Sequence, residues 1–174
     1  MRAALRIGVA LIDRQMAGLI ADVAAWPEAN QEFRPAPAAW NARQVIHHLV
    51  LVHEGIVLGL ERCPIPVPAD RRPSWWRFEI LRVVLRSRIR VRAPIARVVP
   101  VEDVPFNVLA DRWRAAQARL RTLLGDRGRR WGDGMVVRHP LAGWFSASQT
   151  VVFLGDHLAH HERQLRRLRS ARTV

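Results

Sequence analysis

Hydrophobic residues recur at helical spacing in four long stretches of the chain. The first covers Ala3–Ala25, where apolar positions follow one another at three or four residues. The second covers Ala42–Leu60, the third Val104–Leu124, and the fourth runs from Ser146 to Ser170. A stripe of this kind is typical of a helix that buries one face. The pattern therefore predicts four amphipathic helices as the main elements.

Two of these helices carry local signals for their first residue. Asn41 precedes the second helix and Gln44 follows three residues later, while Ser146 precedes the fourth with Gln149 at the same spacing. In a capping box, the first side chain accepts a hydrogen bond from the later backbone N–H, and the later side chain bonds back. We therefore expect helices to begin directly after Asn41 and Ser146.

The segments between the helices predict no sheet. Ser74–Arg90, within the long connection between helices two and three, has one apolar face and predicts an extra crossover helix. Val98–Val101 and Met135–Val137 are too short to build a sheet. His139 to Gly143 predicts a turn, and a loop is indicated by Gly125, Gly128, Gly132 and Gly134. The expected fold is all-α, a four-helix bundle with one long crossover between helices two and three.

Composition and length agree with one globular domain over residues 1–174. Hydrophobic residues make up 49% of the chain, enough for a sizeable core. No apolar run approaches the roughly 18 residues that a membrane span needs. The first 25 residues lack the uninterrupted hydrophobic stretch of a signal peptide, so the expected location is the cytoplasm. Cys63 is the single cysteine and predicts an incidental thiol.

The formal charge of +13 raises the question of nucleic-acid binding. All 28 basic residues are arginines and they are spread along the whole chain, which indicates a coding bias as much as a binding surface. No zinc-finger spacing, basic zipper or aromatic RNA-binding signature accompanies them. Nucleic-acid binding is therefore not the favoured main function, and we expect only weak, sequence-independent binding to duplex DNA, with a Kd of about 10⁻⁴–10⁻⁶ M.

Helical phase separates the histidines of the fourth helix. His157 and His161 fall on the apolar stripe one turn apart, together with Phe153 and Leu165, whereas His160 falls on the polar side. Two imidazoles at positions i and i+4 have Cβ atoms about 5–6 Å apart and can converge on one ion. The pair indicates a metal site, although a single inward histidine is more often an ordinary core residue.

The second helix supplies a third inward histidine. His48 lies on its stripe, whereas His47 groups with the polar side and His53 falls near the edge of the stripe. Three imidazoles suit zinc, nickel, copper or iron and leave one metal position open for water or substrate. A metallopeptidase of the H-E-x-x-H type is excluded because Leu158 follows His157. From helical phase alone, a metal site and a set of core histidines both remain open.

Three segments resemble the DinB/YfiT-like superfamily of metal-binding four-helix bundles. Trp40-Asn41 followed by His48-Leu49 resembles the W-[ST]-x6-H-L motif of helix two, with Asn41 in place of Ser or Thr. His139-Pro140 to Gly143 resembles the H-P-x-x-G turn before the last helix. Phe153 to Leu165 matches the terminal histidine motif. The likeness covers nearly the whole chain, in the right order.

The resemblance implies a fold, a ligand set and a class of chemistry. The family's metal ligands carry over to His48, His157 and His161. The implied fold is a right-handed up-down-down-up bundle, frequently a homodimer, that holds one divalent ion, with zinc or nickel expected. Characterised relatives include thiol S-transferases that use bacillithiol or mycothiol and a mycothiol-dependent maleylpyruvate isomerase. We therefore expect a metal-dependent enzyme with a small-molecule substrate and a low-molecular-weight thiol as co-substrate.

Other functions remain open at this stage. The chain could be a hydrolase that uses metal-bound water, a non-catalytic stress-response or ligand-binding bundle with a structural metal, or a basic protein associated with nucleic acid. The Arg-rich segment Ser74–Arg90 could serve a dimer contact, a membrane surface or an anionic ligand, but a packed crossover helix is favoured. His139 and Trp144 are expected to shape the turn rather than contact substrate.

Overall fold

Helices make up most of the structure, a computed structural model that describes residues 3–63, 65–66, 75–87, 95–100 and 104–171. Two short strands, β1 (Met135–His139) and β2 (Gly143–Ser146), precede the last helix. No helix of the described residues is long and apolar enough to cross a membrane. In chain order the helices are α1 (Ala3–Ala24), α2 (Glu28–Gln31), α3 (Ala42–Glu61), α4 (Trp75–Arg86), α5 (Phe106–Trp131) and α6 (Ala147–Ser170).

The core lies between the four long helices. Helix α3 packs on both α5 and α6, and α1 packs on the same two helices. The predicted stripe of α1 is buried, which confirms its inward face, at Leu5, Ile12, Met16, Leu19, Ile20 and Val23. The stripe of α6 is confirmed in the same way, and its buried members include both His157 and His161.

Both predicted capping boxes are present and fix where α3 and α6 begin. The Gln44 backbone N–H donates to Asn41 Oδ1 at 2.8 Å, and Asn41 N–H donates to Gln44 Oε1 at 3.3 Å. At α6 the corresponding distances are 3.2 Å from Gln149 N to Ser146 Oγ and 3.0 Å from Ser146 N to Gln149 Oε1. The two helices that carry the inward histidines therefore have locally determined starts.

We expect Ser146→Ala to lower the free energy of unfolding by about 1 kcal/mol, because a backbone N–H at the start of α6 loses its acceptor. Urea unfolding of the variant and the parent measures this difference. Ser146→Thr keeps the hydroxyl and should lose much less. An unchanged unfolding midpoint in Ser146→Ala would show that this cap does not stabilise the helix.

Helix α5 is longer than the glycine-rich sequence predicts. It continues through Gly125 and Gly128 and ends at Trp131, so the predicted loop is wrong over that range. Trp131 is 1% exposed and its indole N–H donates to the Cys63 carbonyl at 3.1 Å. Burial of this large side chain outweighs the helix-breaking tendency of the two glycines, about 1 kcal/mol each. Gly132, the residue that follows the helix, has φ +54°, a backbone conformation that favours glycine.

The prediction that residues 135–137 form no sheet is also wrong. Strands β1 and β2 form an antiparallel hairpin with Val137 opposite Phe145 and His139 opposite Gly143. The hairpin packs on α3 and α6, which supplies the burial that such short strands lack alone. The predicted turn lies between the strands, where His139 Nδ1 accepts hydrogen bonds from the backbone N–H groups of Leu141 and Ala142 at 3.2 and 3.1 Å.

The extra crossover helix is confirmed as α4, which packs on α6. Phe78 and Leu85 are buried, while Arg82 donates to Asp156 of α6 at 3.0 Å. Residue 74 and residues 88–90 of the predicted segment lie outside the described residues, as do residues 101–103. Residues 96–98 form a single turn of 3-10 helix.

Candidate metal centre

Three histidines from two helices meet in the interior. His157 Nε2 lies 3.3 Å from His48 Nε2 and 3.2 Å from His161 Nε2. One ligand atom from each ring lies within 4.8 Å of the others, so the group could hold a metal ion. The three side chains are 4–8% exposed. Helix α3 supplies His48 and α6 supplies the pair one turn apart, as the two apolar stripes predict.

Hydrogen bonds at the outer nitrogens determine which atoms face the centre of this cluster. His48 Nδ1 donates to the Val98 carbonyl at 2.7 Å, and His161 Nδ1 donates to Gln164 Oε1 at 2.8 Å. Carbonyl and amide oxygens only accept, so in both neutral rings the proton resides on Nδ1. The Nε2 atoms of His48 and His161 therefore present lone pairs to the centre.

Burial keeps these rings uncharged at neutral pH. Loss of solvation lowers the pKa of His48 to about 4 and that of His161 to about 3. Loss of solvation also lowers the pKa of His157 well below its usual value, and the neighbouring His161 and His48 add to this. His157 can supply at most one hydrogen to the two facing lone pairs. A cation at the centre would satisfy all three nitrogens.

The spacing of the nitrogens fits a metal ion. Two nitrogens bound to one tetrahedral zinc ion at about 2.0–2.1 Å are about 3.3–3.4 Å apart. The two shortest Nε2–Nε2 distances here, 3.3 and 3.2 Å, are close to that separation. Neutral imidazoles are ligands that zinc, nickel, copper and iron accept. The residue types and two of the three separations therefore fit a divalent ion, and the third separation is within 4.8 Å.

Aromatic rings surround the cluster and limit its contact with water. The Trp40 ring centroid is 4.7 Å from that of His48, and Phe153 stacks on His157 at 5.4 Å. Trp40 precedes His48 in the chain, and Phe153 precedes His157. Both aromatic residues belong to the sequence motifs that contain these histidines, and their rings form part of the wall around the cluster. A low-dielectric wall strengthens any electrostatic interaction made at the centre.

His160 lies outside this group, as the phase of α6 predicts. Its side chain is partly buried, and Nδ1 donates to the Leu85 carbonyl at 2.9 Å. This bond connects α6 to α4. His160 therefore has a structural partner of its own, and its ring centroid is 5.1 Å from that of His161.

The predictions for the two other histidines of α3 are wrong. His47 is 5% exposed and its Nε2 lies 3.3 Å from Arg112 Nη1, beside the ion pair of Arg112 with Glu54. His53 is 1% exposed and its ring centroid is 4.2 Å from that of Trp113. Helix α5 covers the face of α3 that carries them. The sequence of α3 alone shows one apolar stripe and therefore predicts one buried face. In the structure, two faces of this helix are buried.

A cavity of about 590 Å³ adjoins the histidine cluster. Its wall is mostly apolar and includes His139 and Trp144, which thus line the cavity in addition to their place in the hairpin. Cys63 also lines it, but follows the C-terminal end of α3, whose last residue Glu61 stands 13 residues after His48, about 20 Å along the helix axis. That distance excludes Cys63 as a ligand of an ion held by the three histidines.

The hydrogen bond from His161 to Gln164 leads to a testable prediction. Gln164→Ala should weaken zinc affinity by about 10–100-fold, because partners of a ligating histidine fix its tautomer and orientation. Competition with a zinc-binding dye measures the affinity. Gln164→Glu retains an acceptor for Nδ1–H and should keep the affinity close to that of the parent. Equal affinities in Gln164→Ala and the parent would show that the ring needs no such partner.

Comparison with known proteins agrees with the resemblance seen in the motifs. A sequence profile of the DinB superfamily matches residues 11–165, a range that contains all three clustered histidines. No curated protein and no solved structure matches the chain. Because the matched range covers most of the 174 residues, the chain belongs to the DinB superfamily.

Proposed function

We propose that this protein binds one divalent ion, zinc or nickel, through His48, His157 and His161, and acts as a metal-dependent transferase of the low-molecular-weight-thiol type. The convergence of three Nε2 atoms, two of them with lone pairs directed inward, carries the proposal. Membership of the DinB superfamily supports it.

Some residues of the chain would bind the metal ion, and others would shape the site for the substrates. The three histidines would hold the ion and would leave it an open position for a thiolate or water. When bound, the ion lowers the pKa of a coordinated thiol and keeps it nucleophilic. Trp40 and Phe153 exclude water around the ligands, and the adjoining cavity admits the second, electrophilic substrate.

The proposal includes the architecture in which this chemistry takes place. We expect residues 1–174 to form one domain whose four long helices run up-down-down-up, and two copies to associate as a homodimer in the cytoplasm. The long α3–α5 connection through α4 supports the helix order, since α3 and α5 pack on each other across it.

Metal analysis followed by a thiol assay tests the function. Purified protein should contain about one zinc or nickel ion per chain, and the loaded protein should accelerate alkylation of bacillithiol or mycothiol by a fluorogenic electrophile. Chelator-treated protein and the His157→Ala variant serve as matched controls and should show only the uncatalysed rate. One ion per chain without any thiol consumption would instead support a non-catalytic bundle stabilised by metal.

A further inference from the structure

The cavity beside the histidine cluster is long and follows one face of α3. Its lining positions on this helix recur at three or four residues, from His48 through Val52, Ile56 and Gly59 to Arg62. Arg62 stands 14 residues after His48, which corresponds to about 21 Å along the helix axis. The cavity therefore extends from the histidine cluster to the C-terminal end of α3.

Glycines on this face leave the cavity open. Gly55 and Gly59 lie one turn apart in α3 and both line the cavity. A Cβ atom added at Gly55 would meet no atom within 4 Å, and one at Gly59 would lie 3.8 Å from Val137 of β1. Glycine weakens a helix interior by about 1 kcal/mol relative to alanine. A larger side chain at Gly55 would occupy the middle of the cavity.

The walls of the cavity combine apolar surface with positive charge. Leu81 and Leu85 of α4 line it, together with the arginines Arg62, Arg97 and Arg138. No aspartate or glutamate is among the described lining residues. Within the described part of the chain, the ion pairs involve none of these three arginines. Uncompensated guanidinium groups beside an apolar surface favour an anionic ligand.

The arginines lie at different parts of the cavity. Arg97 precedes Val98, whose carbonyl accepts the His48 hydrogen bond, so Arg97 belongs to the end with the histidines. Arg62 caps the C-terminal end of α3. Arg138 directly precedes His139, whose ring centroid is 5.0 Å from that of Phe153, the ring that stacks on His157, so Arg138 lies toward the end with the histidines. The positive charge away from the histidine cluster is therefore supplied by Arg62.

We propose that the cavity binds an elongated apolar molecule that carries a carboxylate, with the carboxylate at Arg62 and the opposite end at the histidine cluster. The proposal rests on the proposed function, since it names the substrate class of the same site. Apolar contact with Leu81, Leu85 and the open face of α3 supplies affinity, and Arg62 orients the ligand. The reacting end of the ligand is then presented to the three histidines.

Calorimetric titration of metal-free, chelator-treated protein tests this inference separately from metal binding. The probes are decanoate, 1-decanol and butyrate, which differ in charge and in apolar length. We expect decanoate to bind one per chain and about tenfold more tightly than 1-decanol, because a hydrogen bond to a charged group is lost in the alcohol. Butyrate should show no measurable binding, since it has little apolar surface to bury.

Paired variants locate the two parts of the ligand. Arg62→Gln should weaken decanoate binding by about tenfold and leave 1-decanol unchanged. The control Arg129→Gln changes the same charge on the exposed side of α5 and should affect neither probe. Gly55→Leu should weaken both probes, whereas Gly18→Leu, at an open helical position outside the cavity, should weaken neither.

Several outcomes would overturn the proposal. Equal affinities for decanoate and 1-decanol would refute the anionic subsite, and absence of binding for both would refute the ligand class. Loss of decanoate binding in Arg97→Gln or Arg138→Gln, with the Arg62→Gln variant unaffected, would refute the orientation. Metal content measured before chelator treatment keeps the two proposals apart. One ion per chain before treatment, with no decanoate binding afterwards, refutes this inference alone, and decanoate binding by a protein that held no ion before treatment refutes the proposed metal centre alone.

Discussion

Replacement of any one of His48, His157 and His161 by alanine should strongly reduce metal content, while His160→Ala should retain most of the metal. Each of the three supplies a nitrogen to the same cluster, and no described acidic or thiol side chain belongs to it. A zinc site with a total binding free energy of about 10–16 kcal/mol should lose roughly 10²–10³ in affinity with each ligand. His160 instead bonds to the Leu85 carbonyl and contributes no ligand atom.

Elemental analysis of metal per protein chain, after dialysis against a weak chelator, measures the effect in all four variants. Circular dichroism on the same samples shows whether each variant is folded, so that metal loss is not confused with unfolding. His160→Ala is the matched control because it removes the same ring one residue away from His161. Full metal content in His48→Ala would show that α3 supplies no ligand from this face, and complete loss in His160→Ala would show that a different face of α6 holds the ion.

His53→Leu should make the metal-free protein markedly less sensitive to acid. Burial lowers the pKa of His53 to about 4, and the Gln117 side chain only partly opposes this. Neither ring nitrogen of His53 makes a hydrogen bond of good geometry within the described part of the chain. The folded protein therefore holds an uncharged imidazole in an apolar site against Trp113, whereas the unfolded chain holds one with a pKa near 6.5.

The sign of the effect follows from proton uptake. Above about pH 6.5 the ring is neutral in both states and contributes no pH dependence. Between about pH 6.5 and 4 only the unfolded chain takes up the proton, so stability falls by up to about 1.4 kcal/mol per pH unit. Below about pH 4 both states are protonated and this contribution levels off.

Urea unfolding at pH 7.5, 6 and 5 measures the difference between the variant and the parent. The stability of His53→Leu relative to the parent should rise by about 2 kcal/mol between pH 7.5 and 5. Thr150→Val, another buried polar replacement without a titrating group, should show the same difference from the parent at every pH. Parallel pH profiles for His53→Leu and the parent would contradict the assignment of His53 as a neutral buried ring.

Local features of the chain were predictable because they depend on residues close together in sequence. The stripes of α1 and α6 follow from a 3.6-residue period within one helix, and the capping boxes at Asn41 and Ser146 involve a spacing of three. The inward direction of His48, His157 and His161 is local in the same sense. It requires only the phase of each ring relative to its own apolar neighbours.

The incorrect predictions concern features that depend on contacts between separate elements of the fold. Helix α5 continues past Gly125 and Gly128 because Trp131 is buried and bonds to Cys63, 68 residues earlier in the chain. The β1–β2 hairpin forms where two short strands can pack on α3 and α6. Long-range burial outweighs local propensities of about 1 kcal/mol in both places.

The sequence by itself determined that His48, His157 and His161 face inward, where α3 and α6 begin, and that the chain is mostly helical. Only the tertiary structure decided that His48 meets His157 across 109 residues, because the packing of α3 on α6 sets that distance. The tertiary structure also places the Val98 carbonyl where it accepts the hydrogen bond from His48 Nδ1, which fixes the tautomer of that ring, and it places α5 over His53. Contacts between separate elements depend on how whole helices pack, and the periodicity of one helix carries no information about its neighbour.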